Sequence, residues 1–378
     1  MAVLVGPAPR RGQRIGATMP YFLVAFLLIS AYSVVYEFGL KLFIIGGRAE
    51  DIGDAKASVN LTLRVVGFLV FFFSVLAKVS WVGGWAYCLW LTHFRNYRSP
   101  VTSVKRVMHS DHNQRTRVMG GQPAENARFR SCICDSTVGY GDRTYHCSVL
   151  NRHLPLYDHY CHWLWMAVYL DTCKPYLCCL FWLLVDANIC ASVSLYQAST
   201  ARGGLRLVHL AAGALAGFLT IFLSYGTTRL QFRQLAFKNV TYGEAKVGSW
   251  VMVRTMTTNR GKMVQFVELR RSDEDKAKGV NWTPWSLEKW ENFRQCMGER
   301  IWSWPLFWVQ PKRVKLYGRY PGGQADLPLG ELWRRFEREP SEAGASWTDY
   351  LPMPPIAGQR GDRRAVARSS GYQAANMA

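Results

Sequence analysis

Between residues 132 and 163 the chain concentrates side chains that can act as nucleophile, base or metal ligand. In order they are Cys132 and Cys134, Arg143, His146 and Cys147, Arg152 and His153, and the run Asp158-His159-Tyr160-Cys161-His162-Trp163. Cysteine and histidine at this density suit zinc, which takes nitrogen and sulfur ligands in a tetrahedron. Cys132, Cys134, His146 and His153 would supply two thiolates and two imidazoles for a single structural ion. The Cys-x-Cys pair is tighter than the spacing usual in such sites. The second chemistry is an activated thiol. A free cysteine has a pKa of about 8.5, so only a small fraction is nucleophilic thiolate at neutral pH. Asp158-His159 just before Cys161 offers a base and a carboxylate to orient it. Because strand neighbours alternate faces, the expectation is a sharp turn that gathers the three side chains. The alternatives are an inert buried thiol at Cys161 and ordinary surface imidazoles at His146 and His153.

The elements that must position these groups are written in the hydropathy. The 378 residues include 46 Lys+Arg against 26 Asp+Glu, a net charge of +20, with 49% hydrophobic and 14% aromatic residues. That content excludes a disordered chain, and ten cysteines over this length exclude a small disulfide scaffold. Four apolar runs stand out, over 20–38, 61–91, 176–196 and 207–225. Each is long enough to cross a hydrocarbon core of about 30 Å at about 1.5 Å per residue. Lys78 inside the second run and Asp186 inside the third are costly in lipid, and each can offset the other. The fold class expected is an α-helical multi-pass membrane protein: four transmembrane helices, with a small cytosolic Cys/His-rich domain between helices 2 and 3.

The domain organisation follows. Residues 1–18 form a basic arm, 19–91 hold helices 1 and 2 with a short lumenal loop, and 92–174 form the Cys/His-rich domain. Residues 175–226 hold helices 3 and 4, 227–351 a C-terminal region, and 352–378 a Pro/Gly/Arg-rich tail expected to be disordered. The 92–174 segment carries 11 Lys+Arg, whereas the first loop has only Arg48 and Lys56. The positive-inside bias then places both termini and the Cys/His segment in the cytosol of an endomembrane, vacuolar or plasma membrane. In that reducing compartment, metal ligation or catalysis is a better reading of the cysteines than disulfides. The basic residues are dispersed around the spans, so anionic lipid rather than nucleic acid is the partner they suit.

Four spans, a Cys/His-rich insert between the second and third, and Asp158-His159-Tyr160-Cys161 followed by Trp163 resemble the DHHC family of protein S-acyltransferases, in its DHYC subset of fungal members. His146-Cys147, Asp158-His159, Cys161 and Trp163 fall in the family's register without gaps. Downstream, Asn239-Val240-Thr241-Tyr242-Gly243-Glu244 is similar to the family's Asn-x-Thr-Thr-x-Glu. Asn281-Trp282-Thr283-Pro284-Trp285, then Glu291-Asn292-Phe293 and Met297-Gly298, resembles a later block of the fungal members. The resemblance covers about residues 20–300.

It implies a palmitoyltransferase. Cys161 would be acylated by a long-chain acyl-CoA such as palmitoyl-CoA, with His159 as base and Asp158 orienting it, and would pass the chain to a cysteine of a substrate protein at the cytosolic face. It further implies structural roles for Asn239, Thr241 and Glu244, and an acyl chain among Phe71, Phe72, Phe73, Phe181 and Trp182. Arg143, Arg152 and Lys174 are expected to face the CoA phosphates. The departures are specific. Leu150, Tyr160 and Ala167 occupy ligand positions of one of the family's two zinc sites, leaving Cys147 alone, and Thr172 replaces the family's Asn. One zinc, not two, is therefore expected. The alternative is a catalytically weak or inactive membrane scaffold of the same fold that binds partners through its cytosolic regions. Cys178 and Cys179, beside the third span, could themselves be acylated.

Overall fold

A computed structural model of the chain describes residues 11–45, 61–95, 129–131, 137–139, 144–245, 250–258, 261–269, 285–316, 330 and 346–353. The chain divides into two units. The first takes Met1–Arg98, Asp158–Phe237 and Phe293–Lys315, and the second Ser99–Tyr157, Lys238–Asn292 and Leu316–Ala378. The boundary at 157/158 cuts the Cys/His-rich segment, so Asp158, His159 and Cys161 belong with the helices. Residues 293–315, expected in a C-terminal region, belong with the helices too.

The first unit is built on four helices, each containing a stretch long and apolar enough to cross a membrane: Thr18–Ile44, Arg64–His93, Leu170–Thr200 and Gly203–Ile221. Helix α1 runs over residues 11–45. It is α-helical over Arg11–Ser30, more widely wound over Ala31–Leu40, and α-helical again over Lys41–Ile45. Helix α2 is Leu61–His93 and α3 is Leu170–Thr200, both longer than the apolar runs alone suggest. Helix α4, Gly203–Ile221, continues through wider turns at Phe222–Thr228 and Phe232–Phe237. The α3–α4 connection is two residues, Ala201 and Arg202, both extended, followed by Gly203 at φ +61°, a left-handed turn that favours glycine.

Several polar groups inside this bundle are paired with one another, which lowers the cost of burying them. Lys78 and Asp186, both buried, form an ion pair at 2.5 Å, and Trp81 Nε1 donates to the second carboxylate oxygen at 2.9 Å. The costly acid and the costly base of the sequence thus neutralise each other across α2 and α3. In the widely wound part of α1, Ser33 Oγ lies 2.8 Å from both Ser194 Oγ and His209 Nδ1, tying α1 to α3 and α4.

Six short strands form three two-stranded antiparallel hairpins: β1 (Phe129–Ser131) with β2 (Thr137–Gly139), β3 (Thr144–Cys147) with β4 (Arg152–Pro155), and β5 (His159–Cys161) with β6 (Met166–Val168). Only β5–β6 belongs to the helical unit. The second unit also holds a three-stranded sheet of β7 (Trp250–Thr258), β8 (Gly261–Leu269) and β9 (Ser346–Met353) in the order β8-β7-β9.

Candidate functional site

Residues 159–161 are a strand rather than the sharp turn expected. Positions i and i+2 of a strand project to one side, so His159 and Cys161 share a face. Asp158, just outside the strand, reaches the imidazole: its Oδ2 lies 2.6 Å from His159 Nδ1. The carboxylate is buried and the imidazole half-buried. Nδ1 is thereby committed to Asp158, and Nε2 is the nitrogen left to exchange a proton. Among the described residues no hydrogen bond joins His159 to Cys161.

The hairpin is held from two sides. Its strands pair His159 with Val168, Tyr160 with Ala167 and Cys161 with Met166, and Asp158 N–H donates to Val168 O at 2.8 Å. The C-terminal end of α2 grips the turn at 162–165. Trp85 Nε1 donates to Leu164 O at 2.9 Å, His93 Nε2 lies 2.8 Å from Trp165 O, and Ala167 N–H donates to Thr92 Oγ1 at 3.3 Å. Trp165 takes φ +53°, a left-handed residue that closes the turn. On the other side α3 begins directly after the hairpin, and Thr172 welds the two. Its Oγ1 accepts from Tyr169 N–H at 2.9 Å, the reach-back of a helix N-terminus, and contacts Ala167 O at 2.6 Å. Tyr169 Oη donates to Leu91 O at 3.0 Å, and Arg95 pairs with Asp171 at 3.0 Å. Sequence reasoning missed Trp85, Thr92, His93 and Tyr169, whose work is backbone support across long sequence separations. It noted Thr172 only as a departure.

Cys161 is 1% exposed. Burial pushes its thiol up, while the backbone N–H groups of Leu164 and Trp163 favour the thiolate and oppose part of that rise. Leu164 N–H donates to Cys161 O at 3.2 Å, which closes the turn behind the sulfur. Tyr176, one and a half turns into α3, sets its ring edge-on to the His159 imidazole at 6.1 Å between centroids. It is fully buried, and among the described residues its hydroxyl has no hydrogen-bond partner. His162, the next residue after Cys161, is lowered by burial and by the charge of His159.

The other expected site residues are described only in part. His146 and His153 are register partners on β3 and β4, so the hairpin brings these two backbone positions opposite each other. Cys132, Cys134 and Arg143 lie outside the described residues. Two proposed zinc ligands are thus juxtaposed in backbone register, and the two thiolates are not placed. Among the described residues no group of three or more His, Cys, Asp or Glu is gathered as for a metal ion. Cys147 is buried with a free thiol. Arg152 is half-buried in β4. Lys174, expected to face CoA phosphates, is instead 1% exposed, and its ammonium donates to Ser303 O at 2.8 Å and Val309 O at 2.7 Å. A buried cation must find acceptors, and these carbonyls supply them.

The expected acyl path changes as well. Phe72, Phe73 and Phe181 are 48%, 49% and 43% exposed, which turns them out of the bundle. Trp182 is tied by its Nε1 to Pro305 O at 3.1 Å. Cys161 belongs to a buried apolar cluster that includes Leu164, Met166, Tyr176, Leu180 and Leu183, the last three on one stripe of α3.

The Asn239-x-Thr241-x-x-Glu244 motif is a local fold device. Thr241 N–H donates to Glu244 Oε2 at 2.9 Å and Glu244 N–H to Thr241 Oγ1 at 3.3 Å, a reciprocal capping box on the short helix α5 (Tyr242–Ala245). Asn239, at φ +51°, donates its side-chain amide to Trp285 O at 3.3 Å. Asn292 similarly holds the turn before helix α6 (Lys289–Met297), accepting from Leu287 N–H at 3.0 Å and donating to Leu287 O at 2.9 Å. Residues 281–284 of the later block lie outside the described residues.

Comparison with known proteins adds no family: no protein-family model matches the chain, and no curated protein matches it significantly.

Proposed function

We propose that the chain is an acyl-CoA-dependent protein S-acyltransferase of the DHHC type, embedded in a membrane with the Cys161 hairpin at the cytosolic face. The observation that carries this reading is the Asp158–His159 contact of 2.6 Å on a strand that presents Cys161 to the same side. A base oriented by a carboxylate next to a thiol is the arrangement of an activated nucleophile. His159 Nε2 takes the Cys161 proton. The sulfur attacks the thioester carbonyl of the acyl-CoA, the carbonyl–sulfur bond to CoA breaks, and the departing CoA thiolate takes the proton back from His159. In the second half, His159 removes the proton of a substrate cysteine. That sulfur attacks the acyl-Cys161 thioester, and Cys161 leaves as thiolate and is reprotonated.

The Leu164 and Trp163 N–H groups stabilise negative charge on sulfur. The Tyr176 hydroxyl is a further donor for a developing oxyanion beside the imidazole. A long acyl chain on Cys161 would extend along Tyr176, Leu180 and Leu183 of α3, with about 0.8 kcal/mol gained per methylene buried. Arg143 and Arg152 remain candidates for the CoA phosphates, and Lys174 does not. A zinc ion on Cys132, Cys134, His146 and His153 would brace the β3–β4 hairpin without entering the reaction.

A second reading is a weak or inactive relative that acts as a scaffold. It is favoured by the burial of Cys161, which holds the resting thiol protonated. Labelling with a long-chain acyl-CoA probe, with Cys161→Ala alongside, separates the two. A hydroxylamine-labile label that needs Cys161 supports the enzyme, and no label on well-folded protein supports the scaffold.

A further inference from the structure

The helical unit holds a thiol pair that the proposed acyl transfer does not use. Cys173, in the first turn of α3, and Cys296, near the end of α6, bring their sulfurs to 3.3 Å, within reach of an S–H···S hydrogen bond. They are 4% and 0% exposed. The charge of Arg313, on helix α7 (Lys312–Leu316) and itself only 7% exposed, acts on both thiols.

That guanidinium stays charged in any surroundings, and an uncompensated charge in the interior is costly. Among the described residues no carboxylate forms an ion pair with it. The carboxylate whose charge reaches the pair, Asp158, is already engaged by His159. Lys174 adds a second cation nearby, though its protons go to Ser303 O and Val309 O. Among the described residues, the group placed to carry a balancing negative charge is a thiolate of this pair. Cys296 is the candidate: hydrogen bonding from Cys173 pulls its pKa down, and the charges of Arg313 and Lys174 pull the same way against burial.

We propose that Cys173 and Cys296 form a redox-active dithiol, a modification site for a peroxide-class oxidant, which closes into a reversible cross-link between α3 and α6. The Cys296 thiolate attacks one oxygen of hydrogen peroxide and the O–O bond breaks, giving Cys296 sulfenic acid and hydroxide. Cys173 then attacks the sulfenic sulfur, the S–O bond breaks and water leaves. Two thiols are oxidised and one peroxide is reduced. In a reducing compartment such a bond is transient, as a switch requires. It would lock the first turn of α3, which follows directly from the β5–β6 hairpin. This inference does not depend on the acyl-transfer reading.

The test uses the full-length protein in detergent, treated with hydrogen peroxide, quenched with N-ethylmaleimide and mapped after chymotrypsin digestion. Cys173 and Cys296 then fall on separate peptides, 171–176 and 294–302, each with a single cysteine. The expected result is these two peptides joined and two hydrogens lighter than their sum, restored by dithiothreitol. Buried Cys190 of α3, on which no guanidinium acts among the described residues, should react at least about tenfold more slowly. In Cys173→Ala, Cys296 should stop at the sulfenic acid and add dimedone, and Arg313→Gln should slow its oxidation about tenfold. Recovery of Cys296 in wild-type protein as unreacted thiol at the rate of Cys190, or joined to another cysteine, overturns the proposal. That wild-type comparison decides the matter even if a variant fails to fold.

Discussion

Two hairpins of similar size lie within a few residues of each other, and they are built on different principles. In β3–β4, four residue pairs are in register and the expected chemistry, a metal site, draws its remaining ligands from elsewhere in the chain. In β5–β6, three pairs are in register, yet the hairpin is also gripped by Trp85, Thr92 and His93 of α2 and fused to α3 through Thr172. The reacting groups of the proposed enzyme sit on the second. A nucleophile must be held to within a fraction of an ångström of its base, and regular helices hold such positions better than loops do. A structural metal site can instead organise its own surroundings once loaded.

This contrast can be broken at several points. The largest effect is expected from His159→Ala, which removes the base and should lower the rate of acyl-enzyme formation about 10²–10⁴-fold. Asp158→Asn keeps the side-chain shape but weakens the hold on Nδ1, and should cost about 10–100-fold by the same assay. Thr172→Ala takes away the hydroxyl shared by Tyr169 N–H and Ala167 O. It should destabilise the helical unit by about 1–3 kcal/mol in denaturant titration and slow acylation in parallel. By contrast, His153→Ala should lower bound zinc, measured by elemental analysis, from one ion per chain toward none, and should slow acylation less than any change on β5–β6. The smallest effect is expected from Trp85→Phe, which loses a single hydrogen bond to Leu164 O, about 1 kcal/mol.

The pH dependence follows from Cys161. Because burial holds its thiol above the ordinary range, the thiol form is favoured in the folded protein. Its contribution to stability is therefore present below the unfolded thiol pKa of about 8.5 and is lost as pH rises through the folded value. The rate of acylation should accordingly rise with pH across the neutral range, as more thiolate becomes available.

Much of this arrangement is legible in the residues alone. Four long apolar runs are hard to mistake, and Lys78 and Asp186 announce each other because neither is tolerable in such a run by itself. The order Asp158, His159, Cys161 conveys the chemistry but not the backbone: a three-residue strand of a hairpin carries too little periodicity to be told from a turn. The supports from α2 are not legible, since Trp85, Thr92 and His93 reach carbonyls and amides more than seventy residues away. Phe72 and Phe73 look like core but face outward, because in a membrane-spanning helix apolar side chains suit both directions. Lys174 reads as a surface cation, and only the carbonyls of residues 303 and 309 explain its burial. The meeting of Cys173 with Cys296 likewise depends on a contact across 123 positions.

The most direct test of the central claim is single-turnover labelling of the detergent-solubilised protein with a long-chain acyl-CoA, followed by peptide mapping with and without hydroxylamine. The account expects one thioester, on Cys161, formed in wild type, lost on hydroxylamine treatment and absent in Cys161→Ala. A label that persists in Cys161→Ala, or that maps to Cys178 or Cys179 alone, would contradict it.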